Sequence, residues 1–232
     1  MPEVKLVALL LYVLAVVATP PDSVWAFSGH ALILLMVLAV SQVPPGFFLR
    51  RLSVDIPFLL FALFLPFVGA DPRVSLGPLL LSEPGLWAAW NILAKATLGA
   101  GASVLLIAST EVSAVLAGLS RLRVPPVITA IASFMIRYIE VIAGELRRTR
   151  MAMTARGYDP SWIAQVKPLG MAAGAIFIRS YERGERVHQA MVARGFTGVM
   201  PDTIAPGEPR WTVGLAPALV AWLIMVAARV TA

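Results

Sequence analysis

The sequence predicts an all-α membrane protein, with about five transmembrane helices plus amphipathic cytoplasmic helices. Three observations carry this. Hydrophobic residues make up 59% of the 232 residues, and mean hydropathy is +0.81. Charged residues are 14% of the chain, against about 25% in an ordinary globular domain. A soluble fold of this size could neither bury that much apolar surface nor cover it with charge. The charge is also concentrated in one place. Residues 121–194 hold twelve basic and five acidic side chains, net +7, and the rest of the chain is net −1. The overall balance of +6 at pI 10.3 therefore reads as cytoplasmic anchoring charge and not as a nucleic-acid surface. No cysteine is present, which excludes disulfides, thiolate metal sites and cysteine nucleophiles. Two histidines, His30 and His188, are too few for a histidine cage or relay.

Apolar runs before the basic block cover 6–18, 24–40, 56–70 and 86–108, and one follows it at 211–228. Several fall short of the roughly 20 residues that span a bilayer, so flanking residues must complete them. The first leads into Thr19-Pro20-Pro21-Asp22 without a signal-peptide cleavage pattern. Turn chemistry separates the runs at Pro20-Pro21, Pro44-Pro45-Gly46, Asp71-Pro72 and Glu83-Pro84-Gly85. With a cytoplasmic N-terminus, the 41–55 loop and its Arg50-Arg51 lie inside. The 19–23 loop then lies outside with no Lys or Arg, and the 71–85 loop lies outside with Arg73 alone. The basic block returns inside, as the positive-inside tendency requires. The expected organisation is membrane helices over 1–108, a basic cytoplasmic region over 109–200, and a last membrane helix over 211–230.

Within the block, apolar residues recur at helical spacing but are interrupted by charge every turn or so. A helix is expected from Val127 to Arg156, announced by Pro125-Pro126, and another from about Pro168 to Arg194, with Asp159-Pro160 between them. Both have charged faces and are poor candidates to cross lipid unaided. A shorter helix is expected from Ser109-Thr110-Glu111, where a hydroxyl can cap and an acid suits the dipole. Glu145–Arg148 and Glu182–Arg186 fit intrahelical ion pairs, each worth about 0.2–0.5 kcal/mol.

The block contains a repeat. Residues 152–158 read Ala-Met-Thr-Ala-Arg-Gly-Tyr and residues 190–196 read Ala-Met-Val-Ala-Arg-Gly-Phe. Upstream, Ile136-Arg137-Tyr-Ile-Glu140 echoes Ile178-Arg179-Ser-Tyr-Glu182. Glycine is a good helix terminator, and arginine suits the negative end of the dipole. Capping therefore accounts for Arg-Gly, but it leaves Ala-Met-x-Ala and the trailing aromatic unexplained. The functional reading is that two helix ends each present an arginine to an equivalent partner site.

These Ala-Arg-Gly motifs resemble those of the T component, the transmembrane coupling subunit of energy-coupling factor (ECF) ABC transporters. The stretch Arg179-Ser-Tyr-Glu-Arg183-Gly-Glu-Arg186-Val-His-Gln-Ala-Met-Val-Ala-Arg194-Gly-Phe-Thr-Gly198 is most similar to the cobalt-transport, CbiQ-type branch. Pro2-Glu3-Val4-Lys5-Leu6 resembles the Pro-x-x-Lys-Leu that opens many members. The likeness covers nearly the whole chain and is specific in 121–198. It implies a multi-pass protein of the bacterial cell (inner) membrane that couples ATP hydrolysis by partner ATPases to uptake of cobalt or nickel. Its partners would be two ABC-type ATPase subunits, a substrate-binding S component and membrane lipid, with no nucleic acid. Carried over by position, Ala155-Arg156-Gly157 and Ala193-Arg194-Gly195 dock the two ATPases. The metal would be held by another subunit, so no cofactor and no metal site are expected here.

The residues fit that division of labour. No Gly-x-x-x-x-Gly-Lys-[Ser/Thr] is present, so ATP chemistry belongs to partners. A planar arginine fork suits docking into a groove of carboxylates or carbonyls. Asn91 and Lys95 lie four apart on one face of the 86–108 run and form a candidate intramembrane polar site. The simpler reading of Lys95 is that it snorkels or pairs with a polar group on a neighbouring helix. His30 reads as a packed polar residue. Alternatives are a T component serving vitamin S components, an intramembrane enzyme and a self-sufficient carrier. The enzyme lacks a reactive pair within the spans, and the carrier lacks repeats there.

Overall fold

The computed structural model describes residues 2–69, 72–76, 79–158, 166–198 and 211–231. It is helical throughout, apart from one hairpin. The helices are α1 (Pro2–Ala18), α2 (Val24–Ser41), α3 (Pro45–Arg51), α4 (Ile56–Val68), α5 (Glu83–Ser109), α6 (Val112–Arg121), α7 (Pro126–Ala155), α8 (Lys167–Val192) and α9 (Trp211–Thr231). A 3-10 turn, Leu52–Asp55, joins α3 to α4. Strands β1 (Arg73–Leu76) and β2 (Leu79–Ser82) pair antiparallel, Arg73 opposite Ser82 and Leu76 opposite Leu79. The chain forms two compact units, 1–118 with 205–232, and 119–204.

Each apolar run becomes a helix because its side chains can face lipid or one another without an unpaired backbone group. Proline sets several starts: Pro45 in α3, Pro84 in α5 and Pro126 in α7 each occupy the first turn, where a missing N–H costs nothing. Ser82 closes the start of α5 by accepting the Gly85 N–H at 3.2 Å. A Cβ at Gly85 would stand 2.6 Å from the Leu65 carbonyl oxygen, so glycine there lets α4 and α5 meet backbone to backbone.

In the first unit the helices alternate in direction. Val4 lies against Gly214, Trp222 Nε1 donates to the Leu11 carbonyl at 3.0 Å, and Arg229 donates to the Ala18 carbonyl at 3.3 Å. That constant offset makes α1 and α9 parallel. Lys5 reaches Ser109 while Lys95 reaches Val17, so α1 and α5 are antiparallel. Phe27 meets Trp90 edge to face, and Leu34 meets Gly101, so α2 runs with α5. The core between them holds Tyr12, Val16, Phe27, Leu98 and Met225.

Several expectations need correction. The 71–85 loop holds the β1–β2 hairpin, and the 41–55 loop holds α3 and its 3-10 turn. Ser109 and Thr110 do not start α6, since α5 runs through Ser109 and both residues receive Lys5 instead. Helix α1 has 17 residues, about 25 Å, short of the ~30 Å hydrocarbon layer. By length and composition α2, α5, α7 and α9 can each cross a membrane, and α3 with α4, bent by 59°, can form a fifth, broken span. The membrane-crossing capacity of α7 was not expected. It resides in the first part of the helix, where Arg137 and Glu140 are the only charges before Glu145. Asp71 and the Asp159-Pro160 break lie outside the described residues.

Candidate functional site

The repeated heptapeptides form the same cap twice. At the end of α7, the Gly157 N–H donates to the Thr154 carbonyl at 3.0 Å and the Tyr158 N–H to Met153 at 3.1 Å. At the end of α8, the Gly195 N–H donates to Val192 at 2.9 Å and the Phe196 N–H to Met191 at 3.0 Å. Both are Schellman motifs, in which the residue after the cap takes a left-handed conformation. Gly157 and Gly195 do so, at φ +77° and +82°. The motif also favours an apolar contact between the residue two past the cap and the one three before it, here Tyr158 with Met153 and Phe196 with Met191. All four of these side chains are half-buried.

Capping therefore explains more of the repeat than Arg-Gly alone. It selects the methionine and the aromatic as well as the glycine. What it leaves unexplained is the small residue before the arginine, and the arginine itself gains only the modest preference of a cation for a helix C-terminus. Ala155, Arg156 and Gly157 are exposed, as are Ala193, Arg194 and Gly195. Among the described residues neither Arg156 nor Arg194 has a side-chain partner. Each tip thus offers five unpaired guanidinium donors beside an alanine too small to obstruct an approaching groove.

Sequence reasoning missed the residue that joins these helices. Glu145 is buried at 7% exposure and pairs with Arg179 at 2.8 Å and Arg183 at 3.5 Å, both on α8. The expected intrahelical pair with Arg148 does not form, nor, among the described residues, does Glu182–Arg186. The one available signal was the echo containing Arg179. A recess of about 330 Å³ beside the clamp is lined by Phe134 and Tyr138 of α7 and by His188, Met191 and Phe196. It extends toward lower numbers on α7 and higher numbers on α8, so the helices run antiparallel where they meet. From Glu145 to Arg156, and from Arg183 to Arg194, each arm covers about 16 Å. The arms leave the clamp in opposite directions, which separates the tips by on the order of 30 Å.

The intramembrane candidates have separate fates. Lys95 Nζ donates to the Val17 carbonyl at 2.8 Å, at the end of α1. Asn91 Oδ1 is buried and lacks a partner among the described residues. His30 is fully buried: Thr19 Oγ1 donates to the Ala15 carbonyl at 2.8 Å and lies 3.0 Å from His30 Nε2. With the Thr19 proton so engaged, Nε2 must be the donor in that pair. Among the described residues, no three or more His, Asp or Glu side chains converge on a point that could hold a metal ion.

Comparison with known proteins finds one matching family and two relatives. The family described as CbiQ, cobalt transport protein, matches residues 1–203. An uncharacterized protein of Methanocaldococcus jannaschii is 26% identical over 211 residues, covering 84% of this chain and 70% of that one. A putative fused cobalt transport protein, CbiMQ, of Methanocorpusculum labreanum is 27% identical over 109 residues, covering 47% of this chain and 18% of that longer protein.

Proposed function

Because the chain belongs to the CbiQ family of cobalt transport proteins, the T components of ECF transporters, we propose that it transmits ATP hydrolysis by two ABC-type ATPases to a substrate-binding membrane subunit. The observation that carries this reading is the pair of equivalent arginine tips on oppositely directed arms of one clamped helix pair. Two equivalent plugs on the order of 30 Å apart fit one contact on each of two like subunits. When the ATPases close or part, each tip is drawn with its subunit, and the clamp at Glu145 turns the two displacements into a change of crossing between α7 and α8. The membrane partner responds to that change, with the cobalt or nickel ion as cargo. The relative named as a fused CbiMQ protein supports a membrane partner working alongside this segment.

In this reading residues 1–108 and 211–230 form the membrane part and 109–200 the cytoplasmic coupling region, with Arg156 and Arg194 as the ATPase contacts. Arg156→Ala and Arg194→Ala leave the protein in the membrane, because neither side chain holds the fold together. Each weakens ATPase recovery through a tag on this subunit by about tenfold or more, as expected for a buried interface arginine. The double variant abolishes recovery. Undiminished ATPase recovery with full metal uptake in both single variants would sink the proposal. Uptake of radioactive cobalt or nickel with candidate S components identifies the cargo.

A further inference from the structure

The Pro2-Glu3-Val4-Lys5-Leu6 segment takes no part in docking, yet it holds the joint through which the chain leaves the first unit. Only Thr110 and Glu111 separate α5 from α6, and Thr110 is extended, at φ −146° and ψ 124°. A short extended break between two helices is a place where a hinge can turn. Lys5 closes on it with the full set of donors an ammonium group has. Its Nζ donates to the Ser109 carbonyl at 2.8 Å, to Ser109 Oγ at 3.2 Å and to Thr110 Oγ1 at 3.2 Å. The far end of α6 sits on the same segment. A Cβ at Gly118 would stand 3.0 Å from the Glu3 backbone nitrogen, 3.1 Å from Leu6 Cδ1 and 3.2 Å from the Pro2 carbonyl carbon. Val4 is buried and packs against Gly214 of α9, so this seat is itself fixed to its neighbours. After Gly118 the second unit begins. The turn that follows is closed by the Arg123 N–H to Ser120 at 3.1 Å and the Val124 N–H to Leu119 at 3.2 Å. It is the cap of both arginine tips, with Arg123 at φ +62° where they have glycine.

We infer that α6 is a strut braced by Pro2–Leu6, with Lys5 and Gly118 as positioning residues for energy coupling. The inference rests on the coupling reading above. Movement of the arginine-tipped helices reaches the first unit along the chain at Leu119. With the approach to α6 and its far end both fastened to α1, that movement passes into α1 and the α9 helix packed on it. Without Lys5 the extended break at Thr110 turns instead, and the displacement is absorbed there. Satisfying the end of α5 would need only the bond to the Ser109 carbonyl. The two hydroxyl bonds hold the break itself, which is what a brace requires and a cap does not.

The test uses the assembled complex in proteoliposomes, with ATP hydrolysis and uptake of radioactive cobalt or nickel measured on the same sample. Lys5→Met keeps ATPase recovery and holds hydrolysis within about twofold, while uptake per ATP falls about fivefold or more, as expected for loss of a charge-assisted contact. Gly118→Val, which lifts α6 off the Glu3 backbone, has the same effect. Lys5→Cys/Thr110→Cys is uncoupled as well. The chain has no native cysteine, so a short bifunctional thiol reagent bridges these two positions alone within it, and bridging restores uptake per ATP. Wild-type uptake per ATP in both Lys5→Met and Gly118→Val overturns the inference. A fall of hydrolysis and uptake in step also overturns it, since that marks a purely structural tie, and so does a bridge that restores nothing. Failure of the coupling reading is seen separately: Arg156→Ala and Arg194→Ala then keep their ATPases and full uptake, whatever the Lys5 variants do.

Discussion

The two lysines of the first unit act on each other's helices. Lys5, near the start of α1, donates to the Ser109 carbonyl at 2.8 Å at the end of α5. Lys95 of α5 donates to the Val17 carbonyl at the end of α1, and Arg229 of α9 takes the Ala18 carbonyl beside it. Thr19 closes the remaining two, through its hydroxyl to Ala15 and its N–H to Val16 at 3.3 Å. All four terminal carbonyls of α1 are therefore satisfied, at the negative end of its dipole, with two cations contributing. Lys95→Met should cost about 1–2 kcal/mol, the worth of a charge-assisted hydrogen bond, seen as a melting point lower by a few degrees in detergent with metal uptake retained. Loss of uptake without loss of stability would instead mark Lys95 as part of a transport path. The sequence placed Lys95 on a helix face but could not show its partner, because that partner is a backbone carbonyl 78 residues away. The same limit applies at the tips. Arg156 and Arg194 were legible as a repeat, whereas the role of Met153 and Tyr158 required the cap's hydrogen bonds. Gly157→Ala should cost roughly 1–2 kcal/mol because the left-handed conformation disfavours a Cβ. Nothing stands within 4 Å of the added methyl, so the cost is conformational. It should appear as faster amide exchange over the last turn of α7 and weaker recovery of one ATPase.

At the scale of elements, the α7–α8 pair depends on a small contact. Glu145 is its buried centre, and its partners Arg179 and Arg183 are partly open to solvent, with side chains 52% and 32% exposed. That exposure keeps the pair's worth below the several kcal/mol of a fully buried ion pair. Glu145→Gln, which preserves shape, should destabilise the crossing by about 1–3 kcal/mol. A double-mutant cycle with Arg179→Gln should return a coupling energy above about 0.5 kcal/mol. ATP-driven uptake should fall while ATPase recovery stays near wild type, because the tips are untouched. A coupling energy near zero would show that packing around Phe134 and Tyr138, and not the clamp, holds the arms. The long helices were legible because apolar periodicity sustained over several turns has few rival explanations. The short elements were not. Pro72 and the 83–85 turn made the 71–85 stretch read as a loop, while the β1–β2 pairing that occupies it depends on partners across the turn. In 41–55 the same effect hid α3, whose Pro44-Pro45 reads equally as a turn and as a helix start. Glu145 looked like a partner for Arg148 because local spacing is visible in a sequence and the approach of another helix is not.

At the scale of the whole molecule, the first unit constrains topology independently of charge. Helices α1 and α9 run one way, and α2 and α5 run the other. Helix α4 is antiparallel to α5, because Leu65 near its end lies against Gly85 near the start of α5. The chain thus leaves α5 at the end where Lys5 begins α1. Direction alone gives no sidedness. The proposed sidedness rests on the net +7 of residues 121–194, through the tendency of arginine-rich segments to stay on the cytoplasmic side. The absence of native cysteine makes this testable without background labelling. Asp22→Cys, at an exposed position between α1 and α2, should react with a membrane-impermeant maleimide added to intact cells. Thr197→Cys, exposed just past the second arginine tip, should react only after the membrane is opened. Reversed labelling would place both arginine tips opposite the ATP supply and end the coupling proposal. Labelling of both positions from outside would require an odd number of crossings between them and the N-terminal segment, with α7 then counted as a span in its own right, a role its length and apolar first half allow.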